Sequence, residues 1–353
     1  MKNPITFIRC TLALALNLAG ALEAFAQAPS APLPLAHPQT NAFVDGLLRS
    51  WYAPAARQFS ADADVLSDRV HTWCASPQRA TPRDPRLDKA RDAWTAMMQS
   101  WVRLSAVPIG AQVDRHSETR LDFQPIRPAS LDKVVANPSA PGEWAMDRVG
   151  AQARGLPAME YLLWRKLAAP QTAACAYLVA LARDARDEAR ELALAYAVEA
   201  ATSRTAEQAA QWFNTYVNQW LGGMSRLRWR DLELPVRSWG MEQAPRAASG
   251  NTALAWRVRW QALREPSLGG DGAPSGLLPL TAYLRARGLV ASADTMQRDV
   301  GAADAALQGA TPATSGAQLL NAAKRVDTVT HTISREVVGA MQIQLEFSAE
   351  DGD

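Results

Sequence analysis

The spacing of apolar residues constrains this chain more than any other feature. Leu87, Ala90, Trp94, Met97, Trp101 and Leu104 recur at alternating steps of three and four, the interval that turns one face of an α-helix toward a core. A second stripe runs through Cys175, Leu178, Ala182, Ala185, Ala189, Leu192 and Tyr196, with Arg183, Asp184, Arg186, Asp187, Glu188 and Arg190 filling the remaining positions. That pattern predicts a bundle helix whose charged side faces solvent. A third runs through Leu319, Ala323, Val326, Thr330, Ile333, Val337 and Ala340. Further helical stretches are predicted over 41–51, 59–74, 143–166, 205–221, 252–263 and 277–307. No strand-like alternation lasts as long, so the expected class is all-α, built as helical bundles.

Proline and glycine mark the breaks. Residues 28–38 carry four prolines, and 108–141 hold five without a sustained period. A connection as long as the second is usually functional or wrapped on the surface. Residues 234–251 contain Pro235, Gly240, Pro245 and Gly250 and are expected to separate two helical sets. The predicted organisation is a signal peptide over 1–26, a Pro-rich tether over 27–40, one bundle over 41–233 and a second over 234–353. Charge adds an exclusion. With 37 basic and 35 acidic side chains, a formal +2, the chain has no summed field that favours a phosphate backbone. Nucleic acid is therefore not an expected partner. Four scattered histidines cannot build a multi-histidine metal site without carboxylates.

The first thirty residues bear on compartment. Lys2 and Arg9 precede an apolar run from Cys10 to Leu22, and Ala24-Phe25-Ala26 is a small-x-small site. This order reads as a cleaved secretory signal, and the run is too short for a membrane span of about 20 apolar residues. Cleavage leaves Cys74 and Cys175 as an even pair in an oxidising space, which predicts one disulfide. No transmembrane segment is expected in the mature chain, and the expected location is the periplasm.

The stretch Gly155-Leu156-Pro157-Ala158-Met159-Glu160-Tyr161-Leu162-Leu163-Trp164 narrows the reading further. It resembles the imelysin signature, Gly-x-His-x-x-Glu followed by an aromatic residue and a Leu pair. Arg120-Leu121-Asp122-Phe123-Gln124-Pro125, Gly276-Leu277-Leu278 and the terminal Asp351-Gly352-Asp353 are similar to imelysin sequences as well. The resemblance implies a periplasmic protein of two helical domains, associated with iron acquisition and classed with peptidases. In the signature, His and Glu three residues apart share a helix face and can converge on a cation. Here Pro157 stands in the histidine position and offers neither a side-chain lone pair nor a backbone donor.

Two roles compete for Glu160. It is a first-turn carboxylate favoured by the helix dipole, or the acidic group of a pocket that once held a metal and now binds something else. The candidate binding residues are Gly155, Glu160, Glu242, Arg246 and Ser249, gathered in a cleft between Gly155–Glu160 and 242–252. Arg246 is the expected partner of Glu160, and Ser249 or Asn251 the expected cap of the following helix. No catalytic residue, metal ligand or cofactor is assigned, although iron or another divalent metal is an alternative. The functional expectation is a non-catalytic binding component of an iron or metal uptake system, with periplasmic or membrane partners. An imelysin-type metallopeptidase and a structural module with a decayed site are the alternatives. His116 with Asp114 and Glu118 is the one cluster of histidine with carboxylates, and it reads as a solvated loop. Trp212, Trp220, Trp229, Trp239, Trp256 and Trp260 suggest a ligand platform or core, and at helical spacing they read as core.

Overall fold

The long helix that organises the molecule, α2 (Ala53–Cys74), buries Ala56, Phe59, Ala63, Leu66, Val70 and Trp73 completely. Those positions again alternate three and four, so one face is apolar along its whole length. In the computed structural model, which describes residues 32–77, 83–140, 142–270 and 274–345, α2 packs between α3 (Pro85–Leu104) and α8 (Ala173–Ala201). The stripe anticipated on α3 is wholly buried, and the Asp84 side chain caps its start by accepting from Arg86 N at 2.9 Å. Pro85 follows at the first position, where no backbone donor is needed. The stripe on α8 is buried as well, and Thr172 accepts from Cys175 N at 3.3 Å.

Cys74 closes α2 and Cys175 opens α8, and the two form the expected disulfide with Cα atoms 5.5 Å apart. The bridge ties the central helix to its neighbour.

Before α2, α1 (Pro38–Gly46) runs into it through a π-helical stretch, Leu47–Tyr52, so the expected segments 41–51 and 59–74 form one rod. Pro38 opens α1, which places the helix start inside the expected tether. That tether is anchored where it is described: Leu33 N donates to Ala340 O at 2.8 Å and Arg287 Nη2 to Pro34 O at 2.6 Å. The connection between α3 and α8 holds α4 (Ala111–Asp114), α5 (Ser117–Leu121), α6 (Pro128–Ala136) and α7 (Gly155–Glu160). A single helix over 143–166 does not form: short 3₁₀ turns precede Gly155, and a π-helical stretch, Tyr161–Arg165, follows Glu160.

Beyond α8, α9 (Ala206–Ser225) begins with a reciprocal Thr205–Gln208 capping box and continues through π-helical stretches to Trp239. Leu234 therefore lies inside a helical run, and the chain breaks at Gly240, whose φ is +82°. The expected boundary at residue 234 lies within this helical run. The remaining helices are α10 (Thr252–Leu268), α11 (Leu280–Ala286), α12 (Val290–Leu307), α13 (Gly316–Thr332) and α14 (Val338–Met341). Gly288, at φ +83°, splits the expected 277–307 helix into α11 and α12.

The two helical sets share core. Phe43 of α1 meets Phe213 and Tyr216 of α9 and Tyr283 of α11, with ring centroids 5.2, 5.3 and 5.4 Å apart. α3 packs on α10. The residues from Pro32 onward form one compact unit. Among the described residues no helix is long and apolar enough to cross a membrane. The expected signal peptide over 1–26 and the terminal Asp-Gly-Asp lie outside the described residues.

Candidate functional site

Two carboxylates on α8 set up the site from behind. Glu188 is fully buried and accepts from Arg115 (3.0 and 2.9 Å), Ser117 Oγ (2.7 Å) and Arg120 (2.8 Å). Asp184 accepts from Arg120 at 2.8 Å and from Arg154 at 2.9 and 2.7 Å. The connection over 108–141 folds across this charged side of α8, which is why these two residues leave solvent. Burial pushes the Glu188 carboxyl up, but the hydrogen bonds from Arg115 and Ser117 and the nearby Arg120 outweigh it and hold the group below the usual carboxylate range. The network fixes Arg154 beside Gly155, and Arg120 beside Leu121 and Asp122.

Gly155 is required by that junction. Its φ is +71°, and a Cβ there would lie 2.3 Å from Leu121 O. Only glycine lets the start of α7 approach the end of α5 this closely. Trp94 Nε1 then donates to Leu156 O at 3.1 Å, fastening α7 to α3. Pro157 occupies the first turn, where its missing N–H breaks no helical bond. Glu160 is the last residue of α7, so the dipole role expected for it does not apply.

Opposite α7, the loop after Gly240 carries Arg246 in a left-handed backbone conformation, φ +68°. Arg246 does not pair with Glu160. Its Nη2 donates to Asp122 Oδ1 at 2.5 Å, and Trp101 Nε1 donates to Asp122 Oδ2 at 3.1 Å. Both members of the ion pair are 2% exposed. Burial pushes the Asp122 carboxyl up, yet Arg246 and Arg226 overcome it and keep the group low. Asp122 lies within the 120–125 stretch but carries no signal of its own in the sequence, because a buried acid at a helix end has no periodicity to mark it.

Ser249 is the residue that holds Glu160. Its backbone N donates to Glu160 Oε1 at 2.8 Å and its Oγ to the same oxygen at 2.7 Å. Neither Ser249 nor Asn251 caps α10 through its side chain; Asn251 Nδ2 donates instead to Thr95 Oγ1 at 3.2 Å. Glu160, Glu242 and Arg246 line one cleft of about 440 Å³ together with Pro157, Tyr161 and Trp239. That volume is within the range of small-molecule sites. Gly155 and Ser249 are not among the residues that line it.

A metal of the kind the signature implies does not fit these residues. Pro157 supplies no ligand, Glu160 Oε1 is occupied by two donors, and among the described residues no three His, Cys, Asp or Glu side chains gather at metal-binding range. His71 precedes a disulfide-bonded Cys74. The loop cluster at His116 does not assemble either: Glu118 pairs with Arg226, and His116 is exposed.

Comparison with solved structures identifies the fold. An imelysin-like protein from Psychrobacter arcticum 273-4 superposes with a TM-score of 0.70 at 18% identity, covering 88% of this chain and 97% of that one. A protein from Parabacteroides distasonis ATCC 8503, named an iron-regulated protein A precursor, gives a TM-score of 0.65 at 15% identity, covering 86% and 94%. A search of curated proteins returns no significant match. The peptidase family model described as Imelysin matches residues 52–335, and the chain belongs to the imelysin family.

Proposed function

We propose that this chain is an exported, non-catalytic binding protein of an iron or metal uptake system, and that the cleft between α7 and the 242–252 segment receives its ligand. The observation that carries the reading is Glu160. It is 5% exposed, it lines a ligand-sized cleft, and its neighbour Pro157 replaces the nitrogen ligand of the family signature. Metal-dependent hydrolysis needs about three protein ligands around a metal with an open position. The cleft supplies two carboxylates, Glu160 and Glu242, and no third ligand gathers with them among the described residues, so a binding role fits it better than peptide cleavage.

Export is supported by the signal-like order of residues 1–26, by the Cys74–Cys175 bridge, which suits an oxidising compartment, and by the precursor status in the name of the Parabacteroides relative. That relative's name also supports the link to iron. Partners in this reading are periplasmic or membrane components of the uptake system.

Cell fractionation and growth of a deletion strain under iron chelation test it. The expected outcome is protein in the periplasmic fraction and slower growth under chelation, restored by the intact gene but not by a variant with the cleft blocked at Ala248. Cytoplasmic protein with unchanged growth would overturn the reading, and zinc-dependent cleavage of peptides would favour the peptidase alternative.

A further inference from the structure

A carboxylate removed from water ordinarily sits against a cation, because burial without a partner is costly. Glu160 breaks this rule. Among the described residues no Arg, Lys or His pairs with it, and its protein hydrogen bonds come only from Ser249, both to Oε1. Arg246, the nearest candidate by sequence, is spent on Asp122 at 2.5 Å. The remaining nitrogens of Arg246, Nε and Nη1, are sealed in the interior and are not offered to the cleft. Glu160 Oε2 thus accepts no hydrogen bond from the described protein, and it belongs to a cleft that also carries Glu242, Arg165, Tyr161 and Trp239.

We infer that the cleft binds a small molecule through a primary ammonium group seated on Glu160 Oε2. This rests on the binding role proposed above and names the chemistry of the ligand. At Glu160 the one available oxygen selects among cations. A guanidinium prefers both oxygens of a carboxylate in a fork, and Ser249 already holds one of them. A divalent metal needs further ligands that do not gather here. An ammonium is a compact charge that one oxygen can receive, with the exposed Glu242 of the same lining adding negative charge against the Arg165 guanidinium. Tyr161 and Trp239 supply ring faces of the kind that attract cations, and Pro157 supplies an apolar floor where an imidazole would otherwise compete for the charge.

Titration calorimetry on the mature protein tests this with a matched panel. Cadaverine represents free amines and glycyl-leucinamide the amino terminus of a peptide; 1,5-pentanediol, glutarate, zinc and iron(II) are the neutral, anionic and metal arms. Binding by at least one of the two ammonium probes is expected, with the stronger of them showing which source the cleft prefers. Glu160→Gln keeps the shape and the Ser249 contact and should weaken that binding about tenfold to a hundredfold, as loss of a hydrogen bond to a charged group does. Ala248→Lys, which delivers an ammonium from the cleft wall itself, should abolish probe binding while melting no lower than the parent. Ammonium binding unchanged in Glu160→Gln would overturn the inference, as would tight one-to-one metal binding that displaces the amines. Binding of glutarate or pentanediol alone would overturn it while leaving a binding role for the cleft intact, and no binding across the panel would remove both.

Discussion

At the residue scale the site is decided by which charge finds which partner. Asp122 and Arg246 are both 2% exposed, so each depends on the other for compensation. Asp122→Asn strands the guanidinium and should cost about 3 to 5 kcal/mol, measured by urea unfolding. A cost below about 1 kcal/mol would mean that the pair contributes little. Glu160 is a different case, because its fixed neighbour is a serine rather than an arginine. A double-mutant cycle on Glu160 and Arg246 should give a coupling energy near zero, while Glu160 with Ser249 should couple by about 0.5 to 3 kcal/mol, the range for residues in contact. The opposite ranking would mean that Arg246 turns to Glu160 in solution. Glu160 and Arg246 were recognisable in the sequence as site candidates. The partner of Arg246 was not, because Arg246 and Asp122 lie 124 positions apart and no local pattern records a contact at that separation.

At the scale of elements, α7 is six residues long and owes its place to what it touches rather than to its own helical stability. Gly155 sets its approach to α5. Gly155→Ala would need a left-handed backbone and would push a methyl into Leu121 O, 2.3 Å away. This should destabilise the protein by at least about 2 kcal/mol, well beyond the ordinary Gly-to-Ala effect, and should also weaken ligand binding at Glu160. A variant that melts like the parent would show that α7 can retreat without loss. The long bundle helices behave differently: the stripes on α3 and α8 were readable because an apolar face repeats over five or more turns. The expected 143–166 helix was not, since an apolar-rich composition there is compatible with 3₁₀ turns that only the junction with α5 selects.

At the scale of the whole molecule two constraints act together. The disulfide joins α2 to α8 across a sequence separation of 101 residues. In the chain-entropy view, closing a loop of that length stabilises by up to about 4 to 5 kcal/mol. Cys74→Ser with Cys175→Ser should therefore lower the melting temperature by several degrees, and an unchanged melt would mean that the bridge is incidental to the fold. The second constraint is buried acid. Asp122 and Glu188 are both held below the usual carboxylate range, so their contribution to stability is complete above the unfolded value near 4 and is lost as pH falls through the lower folded values. Stability should be level from neutral pH to about 5 and fall below about 4, with a shallower fall in Asp122→Asn. An identical acid profile in that variant would place the loss elsewhere.

The sequence by itself determined the all-α class and the faces of the long helices, which are written in a local period, and the disulfide pair, which follows from a count of two remaining cysteines. Tertiary structure decided the rest. It carried α9 past the expected boundary at Leu234, brought a charged side of α8 under the 108–141 connection, gave Arg246 to Asp122 and left Glu160 to Ser249. These outcomes depend on which buried charge lies nearest which other, and the energy that ranks such pairings falls off with distance in space, not along the chain.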